Sequence, residues 1–185
     1  MSLERYARER PAFRARVLEH KAARQIAVGP NATWVFEDRL TVQYQVQEML
    51  RVERIFEPAG ILEELGTYNP LIPDGNNWKA TLLIEFVQPD ERARALAQLK
   101  GIERRSWVCV AGHARVFAVA DEDLERENAD KTSAVHFLRF ELAAPMIAAL
   151  RAGAALGVGI DHEHYRHALP VVPEPVRRAL LADLA

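Results

Sequence analysis

The chain has 185 residues, 49% hydrophobic and 27% charged, with a formal net charge of −2. Half apolar content excludes a disordered chain, no apolar run approaches the ~18 residues of a spanning helix, and no secretory h-region follows Met1. The lone cysteine, Cys109, excludes an internal disulfide framework and any multi-cysteine zinc or iron–sulfur site. The near-neutral balance argues against a dedicated nucleic-acid binder.

A soluble, cytoplasmic, single-domain protein over 1–185 is therefore expected. The first element is a helix over about 2–24, in which Pro11 suits a first helical position and Phe13, Val17 and Leu18 recur at helical spacing. Gln25 to Val28 and Ala32 to Glu37, split by Gly29-Pro30-Asn31, predict a hairpin. Asp38 caps a helix from about Arg39 to Phe56, which stops before Pro58. A shorter helix over 59–65 ends at Gly66, and the proline- and amide-rich stretch 69–77 predicts a loop.

Trp78 to Val87 alternates. Trp78, Ala80, Leu82, Ile84 and Phe86 form one face, and Lys79, Thr81, Leu83 and Glu85 the other. That pattern predicts an antiparallel strand with one buried face. Pro89 and Asp90 start a helix to about Lys100, and Ser106 to Ala111 with Arg115 to Ala120 predict a second hairpin across Gly112-His113. An acidic loop or short helical turn covers 121–130. Ala134 to Leu142 is another strand, with His136, Leu138, Phe140 and Leu142 on one face and Phe137, Arg139 and Glu141 on the other. A helix over 145–152, a strand over 156–161, and a tail with an amphipathic helix over 162–185 close the chain.

This order lacks the strict strand–helix alternation of a doubly wound fold. It predicts an α+β domain. The expected sheet is mixed, mostly antiparallel, of about six to seven strands within a core over 25–161, with helices mainly on one face.

Glu53 is the first candidate for chemistry. At 100° per residue it falls inside the apolar stripe of Val42, Val46, Met49, Leu50 and Phe56. A carboxylate there is a functional group in a pocket, half of an internal ion pair that locks the helix to the sheet, or a sign that the stripe frays near the helix end. His136 shares a strand face with apolar residues, as a general base or as a hydrogen-bonded core histidine. If the two met, they would make an acid–base pair. Lys79, Glu85, Arg139 and Glu141 on the mixed strand faces, with Trp78 beside them and Tyr44 and Glu48 on a helix face, form a candidate binding surface; the alternative is a solvated face of cross-strand pairs.

His162, His164 and His167 invite a metal reading, but Arg166 stands where both helical metal motifs need a ligand. A dedicated site is not expected, and no cofactor is predicted, although the histidines leave a divalent metal open. The stretch from Asp121 departs from a calcium loop at Arg126 and Thr132. Residues 1–24 hold seven basic residues against three acidic, and residues 121–131 six acidic against two basic. These segments are candidates to pair with each other. A solvated basic helix accounts for the first better than nucleic-acid binding does.

Three stretches carry a resemblance: EDRLTVQYQVQEMLRVERI at 37–55, NPLIPDGNNWKATLLIE at 69–85 and DKTSAVHFLRFEL at 130–142. They resemble an uncharacterised bacterial family, domain of unknown function 3501, over essentially the whole chain. The resemblance carries no catalytic residue. It implies a few residues ahead of SLERYARERP in other members, and a redox or oxidative-stress setting beside a rubrerythrin-like protein and an iron–sulfur oxidoreductase. Two functions are therefore expected to compete. One is an accessory protein docking on a redox partner through the polar sheet face and the Tyr44/Glu48 helix face. The other is a small enzyme using Glu53 and His136, with or without a metal.

Overall fold

The computed structural model describes residues 1–123 and 126–185. Helix α1 (Leu3–Ala22) opens on Ser2, whose hydroxyl accepts the Arg5 amide, and it buries Tyr6, Phe13 and Val17. Pro11 lies inside this helix, not at its start. Tyr6, Phe13 and Val17 continue one apolar stripe across it, and packing of that stripe outweighs the hydrogen bond that proline lacks.

Strands β1 (Gln25–Ala27) and β2 (Ala32–Phe36) pair antiparallel. Helix α2 (Arg39–Val52) starts with a capping box: Asp38 accepts the Leu40 and Thr41 amides while the Thr41 hydroxyl accepts the Asp38 amide. It ends at Val52, short of the expected Phe56. Glu53 is its C-cap and Arg54 takes φ +55°, a left-handed conformation that stops a helix. Helix α3 (Pro58–Tyr68) has no fully buried residue, and a 3₁₀ turn over Asn69–Leu71 follows.

Strand β3 (Asn77–Ile84), helix α4 (Pro89–Gln98), strands β4 (Ser106–Val110), β5 (Val116–Phe117), β6 (Val119–Ala120) and β7 (Val135–Glu141), and helix α5 (Ala144–Arg151) come next. Strands β8 (Leu156–His162) and β9 (Tyr165–Leu169) and helix α6 (Glu174–Leu181) complete the chain. Among the described residues no helix is long and apolar enough to cross a membrane.

The fold is α+β, as expected, but its strands form two sheets, not one. The orders are β1-β2-β3-β7-β6 and β5-β4-β8-β9, and every pairing is antiparallel. The expected strand over 115–120 is what divides them. Val116 and Phe117 pair with β4, while Val119 and Ala120 pair with β7, and the Ala118 amide donates to the Ser106 carbonyl between them. Strand β9 lies in the expected tail: the segment shows no apolar alternation, and of its residues through Ala168 Tyr165 alone is buried. Tyr165 ties it down. Its hydroxyl donates to the Val28 carbonyl at 2.8 Å and accepts the Asn31 amide at 3.0 Å, which joins β9 to the first hairpin.

Both sheets contribute to one apolar core. Trp34, Phe36, Trp78, Leu82 and Phe140 meet Val108, Val110, Leu156 and Ile160, with Leu96, Leu150 and Leu180 from α4, α5 and α6 closing it. Trp34 stacks on Phe140 at 5.3 Å between ring centroids. Each such fully buried side chain contributes roughly 1.5–3 kcal/mol, so this core dominates stability. Helices α1, α2 and α3 keep smaller clusters of their own around Phe13 and Val46. The helices thus divide into two sets instead of lying mainly on one face.

Candidate functional site

The alternation of β3 sets the site. Trp78, Ala80, Leu82 and Ile84 are buried, which leaves Lys79, Thr81 and Leu83 on the opposite face. The register places Arg139 opposite Lys79 and Phe137 opposite Thr81 on β7, and Val35 opposite Thr81 on β2. One residue past β2, the Glu37 amide donates to the Lys79 carbonyl at 2.8 Å and extends the ladder. Glu37, Lys79 and Arg139 therefore form a charged row across three strands.

Like charges directly opposite destabilise a sheet, and the fold answers this locally. Arg139 donates to both oxygens of Glu122 at 2.7 and 2.8 Å and also to Glu141. That guanidinium holds the Glu122 carboxyl below its ordinary range. Lys79 turns away and donates to the Pro70 carbonyl at 2.6 Å.

Helices α2 and α3 do not close over this row. A cavity of about 490 Å³ lies against Lys79 and Arg139, walled by Glu63, Thr67 and Pro70. A second, of about 360 Å³, lies against Glu37 and Thr81, walled by Val42 of α2 and Tyr68 of α3. Leu71 and Phe137 line both, so the two are halves of one cleft. Ligand pockets span roughly 300–1,000 Å³ and are mainly apolar with a few convergent polar groups. The cleft fits that description.

The expected acid–base pair is not formed. Glu53 is exposed at the C-cap of α2, because the helix ends before its apolar stripe reaches that position. His136 is 0% exposed. Its Nδ1 faces Asp121 at 2.6 Å, and its Nε2 lies 3.0 Å from both the Thr132 hydroxyl and the Ser133 carbonyl. Asp–His–Thr has the order of a nucleophile relay, but Thr132 is 2% exposed, which suits a hydrogen-bonded core histidine. Asp121 also accepts the Phe137 amide at 3.0 Å, which fixes the turn into β7.

The Tyr44/Glu48 face is not free for docking either, since α1 covers it. Tyr44 stands 6.2 Å from Phe13. Glu48 accepts from Tyr6 at 2.5 Å, from Arg10 at 2.7 and 2.8 Å, and from Arg51 at 3.1 Å. The Arg10 guanidinium holds the Glu48 carboxyl far below the usual carboxylate range, while burial and Glu48 push the Tyr6 phenol up. A depressed carboxyl contributes stability above its unfolded pKa and loses it as pH falls toward the folded one. We expect Glu48→Gln to destabilise the protein at about pH 7 and measurably less at about pH 3, where the unfolded carboxyl is already protonated but the folded one is not. Urea melts at the two pH values check this, and an equal difference at both would refute it.

Trp78 belongs to the core, where its indole donates to the Leu180 carbonyl at 2.8 Å. Glu85 lies past the end of β3, exposed, and lines neither half of the cleft. Glu141 is exposed at the end of β7, where it accepts from Asn77 at 3.0 Å and from Arg139. Cys109 is half-buried, its thiol toward the His113 carbonyl. His162 ends β8 with both ring nitrogens engaged, by the Lys100 carbonyl and the His164 amide. His164 and His167 follow on a hairpin, not on one helical face, and His167 packs on Tyr165 at 4.6 Å. Among the described residues no three His, Cys, Asp or Glu side chains gather as metal ligands. Of the acidic segment 121–130, Leu124 and Glu125 lie outside the described residues.

Sequence reasoning passed over Glu37 and Phe137. Alternation along β2 puts Thr33, Val35 and Glu37 on one face, and that signal was available.

A family described as "Protein of unknown function (DUF3501)" matches residues 1–184. The chain is also similar to a solved crystal structure of a novel protein of unknown function from Burkholderia pseudomallei K96243. The two are 49% identical with a TM-score of 0.95, over 100% of this chain and 96% of that one. No curated protein matches.

Proposed function

Since the chain belongs to the DUF3501 family of proteins of unknown function, its function is argued from its own site, and we propose that it is a binding protein for a small molecule held in the cleft. The observation that carries this reading is the charged row Glu37–Lys79–Arg139, which faces two contiguous cavities of about 490 and 360 Å³ instead of a closed helical layer. A flat docking surface needs no such walls, and a structural row of ion pairs needs no cavity. The reading is of binding without chemistry, because Arg139 is held by Glu122 and Glu141.

A fragment screen followed by nuclear magnetic resonance on the full chain tests it. Bound fragments are expected to shift residues around Leu71 and Phe137. Leu71→Trp, which fills the wall common to both halves, is expected to abolish those shifts. Shifts that fall elsewhere, or that survive Leu71→Trp, would overturn the reading.

A second reading, an accessory protein docking on a rubrerythrin-like or iron–sulfur redox partner, is favoured by one observation. Val52, Phe56 and Leu62 are 57%, 66% and 68% exposed on and between α2 and α3, and large apolar side chains left in water there are available to a partner. A pull-down from the native host that recovers no redox protein counts against it.

A further inference from the structure

The smaller half of the cleft contains a carboxylate that is paired with no cation among the described residues. Glu37 is nine-tenths buried, at 9% exposed, and lines the cavity of about 360 Å³. Its Oε1 accepts the Thr81 hydroxyl at 2.6 Å. Arg24 is the nearest guanidinium in the bonding pattern, and it reaches the Glu37 carbonyl at 3.2 Å, not the carboxylate. Among the described residues Glu37 makes no ion pair: Lys21 lines the same cavity but does not come within ion-pair distance of it. A buried charge ordinarily has a partner, because taking an unpaired carboxylate out of water is strongly unfavourable.

We propose that this cavity binds the ammonium group of an apolar amine, with Glu37 as its counterion and Thr81 holding the carboxylate in place. The inference rests on the small-molecule reading above and names the class of ligand. Val35, Val42, Leu83 and Val135 supply an apolar wall for the body of the molecule. Phe137 and Tyr68 line the same space, and aromatic faces attract ammonium groups. Lys21 and Gln45 stand in that wall as well and suit a carboxylate on the ligand. A free amine and an apolar α-amino acid thus share the recognition chemistry, and Lys21 discriminates between them.

Calorimetric titration of the full chain with 2-phenylethylamine, phenylalanine and the neutral 2-phenylethanol tests the proposal. The better of the two ammonium compounds is expected to bind at least about tenfold tighter than the alcohol, as a charge-assisted hydrogen bond gives. Tighter phenylalanine identifies the amino acid as the ligand class, and tighter 2-phenylethylamine the free amine. Glu37→Gln is expected to remove the preference for ammonium. Its amide oxygen still accepts from Thr81, and a thermal melt confirms that it folds; if it does not, the wild-type comparison of amine with alcohol decides alone. Equal affinity for amine and alcohol, or a preference that survives in Glu37→Gln, overturns the proposal and leaves the small-molecule reading standing. So does failure of both ammonium compounds to bind while other fragments seat in the cleft. A cleft that takes no fragment at all overturns both.

Discussion

Replacing Arg24 by alanine is expected to lower the unfolding free energy by about 3–5 kcal/mol, the range for removing one partner of a buried ionic network. Arg24 is 2% exposed and stands where four elements meet. It donates to the Phe36 carbonyl at 3.0 Å, the Glu37 carbonyl at 3.2 Å and the Ala179 carbonyl at 3.3 Å. It also pairs with Asp183 and lies 3.5 Å from Asp38. The end of α1, the end of β2, the cap of α2 and the C-terminal part of α6 are thereby held by one guanidinium.

Alanine would leave three carbonyls without the guanidinium and two half-buried carboxylates near each other, with His20, 2.5 Å from Asp38, as the remaining side-chain cation. Burial already pushes the Asp183 carboxyl up against the pull of Arg24, whereas the Thr41 amide and Arg24 overcome burial and hold Asp38 down. Without Arg24 both carboxyls rise. The difference between wild type and variant should therefore be largest near neutrality and shrink as pH falls and the carboxyls protonate in both. Arg24→Lys keeps a charge but loses the planar fork that reaches several carbonyls, and it should fall between. Urea melts give the result as a midpoint lower by more than about 1 M. A loss below about 1 kcal/mol, or one independent of pH, would show that the network is dispensable.

Asp121→Ala is expected to be of similar size, about 3–4 kcal/mol, since it strips a fully buried histidine of its carboxylate and orphans a backbone amide together. Asp121 is itself held at φ +51°, a conformation that alanine tolerates poorly and asparagine tolerates well. Asp121→Asn keeps the acceptor for the Phe137 amide and the backbone preference, so it isolates the lost charge opposite His136. For a chain of this length the alanine variant should lower Tm by at least about 6 °C. Hydrogen exchange should quicken first in β7 around Phe137, whose amide loses its partner. Unchanged exchange there would mean that the buried cluster does not organise the strand. Because Phe137 walls both halves of the cleft, the same variant should weaken ligand binding even where the protein stays folded.

Alternation made the faces of β3 and β7 readable from the chain itself. Trp78, Leu82, Leu138 and Phe140 face the core and Lys79, Thr81 and Arg139 do not, because period two alone decides this once a segment is a strand. Proline and capping residues likewise marked helix starts at Asp38 and Pro89. The failures share a cause. Glu53 falls inside an apolar stripe only if the helix of Val42 and Leu50 continues, but the left-handed turn at Arg54 ends it and leaves Glu53 exposed. Phe117 and Val119 looked like one strand, and which sheet each joins depends on partners distant in sequence.

The balance of charges behaves the same way. The net charge of −2 and the basic first 24 residues are properties of composition, fixed by the sequence. Their partners are not. The basic helix is matched by Glu48, Asp38 and Asp183, and the acidic segment after Ala120 by Arg126, Arg139 and His136, so the two segments do not neutralise each other as their opposite signs suggested. Coulomb pairing is decided within a few ångströms, and only long-range packing brings groups that close. What the sequence determined by itself was the α+β class, the strand faces and the want of cysteine ligands. What tertiary structure decided was the division into two sheets, the burial of His136 against Asp121, and the cleft that leaves Glu37 facing a cavity without an ion-pair partner.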